Sequence, residues 1–133
     1  MYSTEYKKNL TSWYLRDDYN FNYAITYRPK KSKVHKGNAY SFFKKLMVNC
    51  DVIKTLIYTV ESDWSGYSNH VHMALESEHI SREGLAKAMK RNVVELPYFN
   101  KLKDKEGYIK YINKNIGLGD LMVRDNNILL REQ

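Results

Sequence analysis

In the stretch Asn69–Glu76, NHVHMALE, apolar residues recur at every second position around two histidines. Side chains alternate faces along a strand, so His70 and His72 fall on one face while Val71, Met73 and Leu75 fall on the other. One face is thereby marked for a core and the other for chemistry. Two neutral imidazoles side by side on a rigid strand begin a divalent-metal site, because each offers a nitrogen lone pair from a fixed position. Just upstream, Lys54–Ser62 alternates as well, with Leu56, Tyr58 and Val60 on one face and Thr55, Ile57, Thr59 and Glu61 on the other. The link Asp63–Asn69 carries Gly66, two serines and an asparagine, which predicts an antiparallel hairpin with a long loop. Symmetric closure sets Glu61 opposite His70 and Thr59 opposite His72, bringing two histidines and a carboxylate to one point. A slip of one residue would turn one strand's apolar set to the wrong side.

The 133 residues predict a single domain with a real core and no room for a fused helicase. Lysine and arginine number 22 against 15 acidic residues, a formal charge of +7 that favours a polyanionic partner. Twelve tyrosines add to this, since exposed aromatic rings stack on unpaired bases. Cys50 is the only cysteine, which excludes an internal disulfide framework and a cysteine-cluster zinc site, and it reads as a small buried hydrophobe. No apolar run reaches the roughly 20 residues of a membrane span and no secretory signal opens the chain, so a soluble cytoplasmic protein with no membrane partner is expected.

In chain order, Thr4–Leu15 reads as an amphipathic helix and Phe21–Tyr27 as a first strand that must stop pairing at Pro29. The most basic segment follows, with Arg28, Lys30, Lys31, Lys33 and Lys36 around His35. Directly after a central strand, such a run is placed to grip a phosphate backbone. Asn38 is a candidate cap for a helix with the stripe Ala39, Phe42, Phe43, Leu46, Met47 and Cys50. Ser81 is expected to cap a second helix, with Ile80 and Leu85 as a hydrophobic staple, while His79 before it reads as a surface residue. Val93–Phe99 reads as a short or edge strand because of Pro97. Asp104–Gly117, DKEGYIKYINKNIG, reads as a third helix with Asp104 as candidate cap and Gly117 as terminator, anchored by Ile109, Ile112 and Ile116. On that wheel Tyr111 and Lys114 project away from the stripe, one turn apart, and Tyr108 sits half buried near its edge. The apolar patches Leu121–Val123 and Ile128–Leu130 fit either a last hairpin or an oligomer contact, such as a homodimer.

The succession of elements predicts an α+β domain with a central, mainly antiparallel sheet carrying the histidines, its helices packed mostly on one face, the other face open for a substrate. A divalent metal held by His70, His72 and Glu61, beside a projecting tyrosine and lysine, suits attack on a phosphodiester. The ion would neutralise a non-bridging oxygen. The tyrosine hydroxyl, with an ordinary pKa of about 10, would be activated by lysine or metal and form a covalent intermediate.

His70-Val71-His72, followed by Tyr111-Ile112-Asn113-Lys114, resembles the histidine-hydrophobe-histidine and Tyr-x-x-Lys motifs of HUH endonucleases. More narrowly, it resembles the single-tyrosine rolling-circle replication initiators, or Rep proteins, of small viruses and plasmids. The strand around Ala24-Ile25-Thr26 stands where that family has its first motif, and Glu61 stands where some members supply a third metal ligand. The resemblance covers roughly residues 21–117 and implies Mn²⁺ or Mg²⁺ as cofactor. It also implies attack by Tyr111 on single-stranded DNA at a replication origin, leaving a 5′-phosphotyrosyl link and a free 3′-hydroxyl. Lys114 would steady the phosphate or tyrosinate, Arg28, Lys30, Lys31, Lys33 and Lys110 would contact DNA, and a separate helicase and polymerase would be partners. Relaxases carry their tyrosine before the histidines, unlike this chain. Single-tyrosine transposases share the order found here and remain an alternative, though Lys114 favours a Rep. Tyr108 is a possible second nucleophile, spaced one residue short of the two-tyrosine pattern. From another class, a non-catalytic single-stranded nucleic-acid-binding module would use the same basic and aromatic surface.

Overall fold

The computed structural model describes residues 20–62, 69–112, 120–125 and 128–132. The helix expected at Thr4–Leu15, most of the hairpin loop, and Lys114 with its neighbours up to Gly117 lie outside the described residues. The elements are β1 (Tyr23–Tyr27), α1 (Ala39–Asn49), β2 (Ile53–Ser62), β3 (Asn69–Ser77), α2 (Arg82–Met89), β4 (Tyr98–Lys101), α3 (Lys105–Tyr111), β5 (Asp120–Asp125) and β6 (Ile128–Glu132), with 3₁₀ turns at Lys30–Ser32 and Val93–Glu95. The strands form one antiparallel sheet in the order β4-β1-β3-β2-β5-β6. β1 and β2, joined through α1, straddle β3; β3 and β4, joined through α2, straddle β1. Two split β-α-β units thus interlock around the central pair β1–β3.

Alternation decides the faces. Ile25 and Tyr27 of β1, Leu56 and Tyr58 of β2 and Val71, Met73 and Leu75 of β3 join Phe43, Leu46 and Met47 of α1 and Leu85 and Met89 of α2 in the main core. Phe43 stacks on Tyr58 with ring centroids 4.4 Å apart. Ser81 caps α2 as its sequence predicts, its hydroxyl accepting from the Gly84 amide at 2.9 Å, and Ile80 and Leu85 are both buried. His79 is exposed and Cys50 half buried, packed against the main core.

The opposite face carries a smaller cluster of Phe21, Ile57, Ala74, Leu121 and Ile109. Ile109 belongs to α3, so this helix packs on the face that also bears His70 and His72. The sheet face expected to lie open is therefore partly covered: two of the three described α-helices share one side and the third sits on the other. Buried Ala24 and Ala74 are neighbours across β1 and β3, and their small side chains leave room for a helix to approach the sheet.

Two further details differ from the sequence reading. Val93–Phe99 is not one strand: Val93–Glu95 turns as a 3₁₀ helix closed by a capping box between Asn92 and Glu95, and strand pairing begins only after Pro97, which has no N–H to give. Asn38 precedes α1, but its side chain makes no cap bond; it accepts from the His35 amide and donates to the Lys33 carbonyl, both at 2.7 Å.

The tail forms the β5–β6 hairpin and extends the sheet beyond β2. Arg124 of β5 donates Nη2 to the carbonyls of Met47 and Cys50, and Nε to the carbonyl of Ile53 at 3.0 Å. A guanidinium thus satisfies carbonyls at and beyond the C-terminal end of α1, where the helix leaves acceptors orphaned and its dipole favours a cation. Arg124→Ala is expected to lower unfolding free energy by about 2 kcal/mol, seen as an earlier urea midpoint at unchanged slope. Among the described residues no helix is long and apolar enough to cross a membrane.

Candidate active site

The β2–β3 hairpin pairs in the register its alternation predicts, with Glu61 opposite His70 and Thr59 opposite His72. Directly paired residues share a face, so both imidazoles and the carboxylate meet on the α3 side of the sheet. One carboxylate oxygen, Oε1 of Glu61, stands 3.4 Å from Nε2 of His72 and 3.7 Å from Nδ1 of His70. The His72 side chain is 14% exposed, against 26% for His70 and 40% for Glu61, so the group opens toward solvent through its carboxylate.

Burial pushes the His72 pKa below its ordinary value, against an opposing pull from Glu61 and with smaller pushes from His70 and Arg28. A depressed histidine pKa favours the neutral ring, whose lone pair is then free to ligate near neutral pH. The same shift fixes a sign for stability. The unfolded ring protonates near its ordinary value of about 6.5, before the folded one, so stability present above that pH is lost as pH falls below it. Thermal midpoints recorded between pH 8 and pH 5 are expected to fall on acidification, and to fall less in His72→Gln.

The donor set of two nitrogens and a carboxylate oxygen suits a divalent ion of the Mn²⁺ or Mg²⁺ type. Donors about 2.1 Å from one ion at octahedral angles stand about 3 Å apart, and Oε1 of Glu61 stands somewhat farther than that from each of the two ring nitrogens, at 3.4 and 3.7 Å. Among the described residues no group of three His, Cys, Asp or Glu side chains is arranged to hold a metal ion.

α3 supplies the tyrosines. Asp104 caps it, Oδ1 accepting from the Gly107 amide at 2.9 Å, and Ile109 and Ile112 are fully buried beneath it. Tyr111 is 50% exposed, projecting as its wheel position predicts. Tyr108 is half buried and donates its hydroxyl to the carbonyl of Met73, next to His72 in β3, at 3.1 Å. Desolvation raises the Tyr108 pKa strongly, with smaller contributions from Tyr98 and Tyr111 nearby. That phenol is committed to holding α3 on the sheet and resists ionisation. Lys110 pairs with Glu106 one turn back on the solvent side.

The basic segment after β1 is a built loop. Arg28 donates its amide to the Glu95 carbonyl at 2.8 Å, and Lys30 donates its amide to Oε1 of Glu95 at 3.1 Å. At the other end Asn69 donates Nδ2 to the Val34 carbonyl at 2.8 Å, tying the loop to the residue that precedes His70. Lys31 adopts a left-handed conformation with φ of 55°, held within this frame. Arg28, Lys30, Lys31 and Lys33 are exposed, and among the described residues none of them enters an ion pair. Sequence reasoning missed Glu95 and Asn69 as the residues that fix this loop. Asn69 stood within the decisive stretch; Glu95 was hidden in a segment read as strand.

Comparison of the chain with protein-family models, with curated proteins and with solved structures finds no match.

Proposed function

We propose that this chain is a metal-dependent, sequence-specific nickase and strand transferase acting on single-stranded DNA, of the kind that initiates rolling-circle replication. One observation carries the reading: the hairpin register sets Glu61 against both His70 and His72 on the sheet face that α3, with its exposed Tyr111, also occupies.

His70, His72 and Glu61 would hold Mn²⁺ or Mg²⁺, which when bound supplies Lewis-acid neutralisation of a non-bridging phosphate oxygen. Arg28, Lys30, Lys31 and Lys33, on their pinned loop, hold the DNA backbone by its phosphates. The phenolic oxygen of Tyr111 attacks phosphorus as its proton departs to a base. The bond from phosphorus to the 3′-oxygen breaks, the leaving oxygen takes up a proton, and the 5′-phosphate stays on tyrosine. Attack by a 3′-hydroxyl on that link reverses the step and joins strands. Tyr111 is favoured over Tyr108 as nucleophile because the Tyr108 hydroxyl is spent on Met73 and burial opposes its ionisation. The resemblance gives Lys114 the task of steadying the phosphate, an origin as the DNA site, and a separate helicase and polymerase as partners within a host cell.

The test is incubation with end-labelled single-stranded DNA from candidate origins plus Mn²⁺, followed by a denaturing gel. A labelled band at protein mass that needs the metal is the expected result. If a broad oligonucleotide panel gives no such band while the protein still binds DNA in chelator, the chain is a binding module without catalysis.

A further inference from the structure

A cleft of about 630 Å³ runs along the edge strand β4, between it and the start of α3, lined by Ala24, Tyr98, Asn100, Lys103, Asp104 and Tyr108 among others. Tyr98 pairs with Thr26, and Thr26 with His72, so the three form one row across the sheet on the histidine face. With neighbouring strands about 4.8 Å apart, the Tyr98 backbone lies about 10 Å from that of His72. Tyr98 is 48% exposed. Asn100, two residues on and so on the same face, is also exposed. Neither side chain makes a hydrogen bond or ion pair to the described residues, and the Asp104 carboxylate is turned to the Gly107 amide. At these positions the edge strand shows an aromatic ring and an amide, and Lys103 lines the same cleft.

We infer that this cleft is a binding site for one unpaired nucleobase of a single strand lying across the sheet face, with Tyr98 as the stacking platform and Asn100 reading the base edge. A phenol ring stacks on any base, and a side-chain amide offers a donor and an acceptor side by side, the pattern that matches a base edge bidentately. Lys103, exposed and lining the same cleft, meets the adjoining phosphate. The inference rests on the single-stranded-DNA reading of this face but requires no cleavage.

The experiment is fluorescence anisotropy in chelator, so that no covalent step contributes, with labelled 12-mers of dT, dA and dC and a 12-mer of abasic units. Tyr98→Ala is expected to weaken binding of the base-bearing strands at least about fivefold, the loss typical of one removed stacking platform. It should leave the abasic strand unchanged, and Tyr98→Phe should bind within about twofold of the parent because the ring remains. Asn100→Ala should narrow the differences among dT, dA and dC. Equal binding by Tyr98→Ala and the parent, or equal losses on base-bearing and abasic strands, overturns the inference. A nickase failure would be read separately, as the absence of a covalent band with binding and its Tyr98 dependence intact.

Discussion

Tyr111→Phe is expected to abolish the covalent protein–DNA band, a loss of at least roughly 10⁴-fold, the scale on which removal of an enzymatic nucleophile acts. The change deletes one oxygen from a side chain that is half exposed and whose ring is left in place. Fold and single-stranded DNA affinity should therefore survive, and the loss should appear in chemistry alone. Tyr108→Phe sets the contrast. Its hydroxyl donates to the Met73 carbonyl, so its removal is expected to cost about 1 kcal/mol of stability while leaving the band in place. Denaturant titration of both variants beside the gel separates the two outcomes. A band lost in Tyr108→Phe and kept in Tyr111→Phe would move the nucleophile by one helical turn.

The second large effect concerns the histidines. His70→Ala and His72→Ala each remove a nitrogen donor from a set of three, and each is expected to weaken Mn²⁺ binding by at least about 100-fold. Even changes behind the ligands typically cost 10- to 100-fold. Glu61→Gln keeps an oxygen but loses the charge, and is expected to fall short of either. Calorimetric Mn²⁺ titration checks the order, with the covalent band as second readout. Undiminished Mn²⁺ affinity in both alanine variants would leave the pair as a histidine–carboxylate contact without a metal role.

Much of this geometry was legible in the sequence because strand alternation has a period of 2 and admits few errors. A single register satisfied the apolar sets of β2 and β3 together, and that register delivered Glu61 to His70. Local caps were equally readable: Ser81 and Asp104 each needed only an amide three residues ahead. Contacts made across long stretches of chain were not. Nothing near Arg124 announces that it will reach back to the carbonyls around the end of α1. Glu95 and Asn69 fix a loop more than thirty residues away, and no local period records such a partnership. Asn38 was read as a cap because it has the right chemistry, but the loop before α1 claimed both ends of its amide. The seat of α3 on the histidine face follows from Ile109 meeting Ile57, Ala74 and Leu121, a convergence of four segments that one helical stripe cannot foretell.

The most direct test of a tyrosine nucleophile on this face is mass spectrometry of the denatured adduct after protease digestion. The expected result is a peptide spanning Lys105–Tyr111 and beyond, carrying a nucleotide through its 5′-phosphate on Tyr111, formed only when Mn²⁺ or Mg²⁺ is present. A nucleotide found on any other residue, or an adduct that forms equally in chelator, would contradict it.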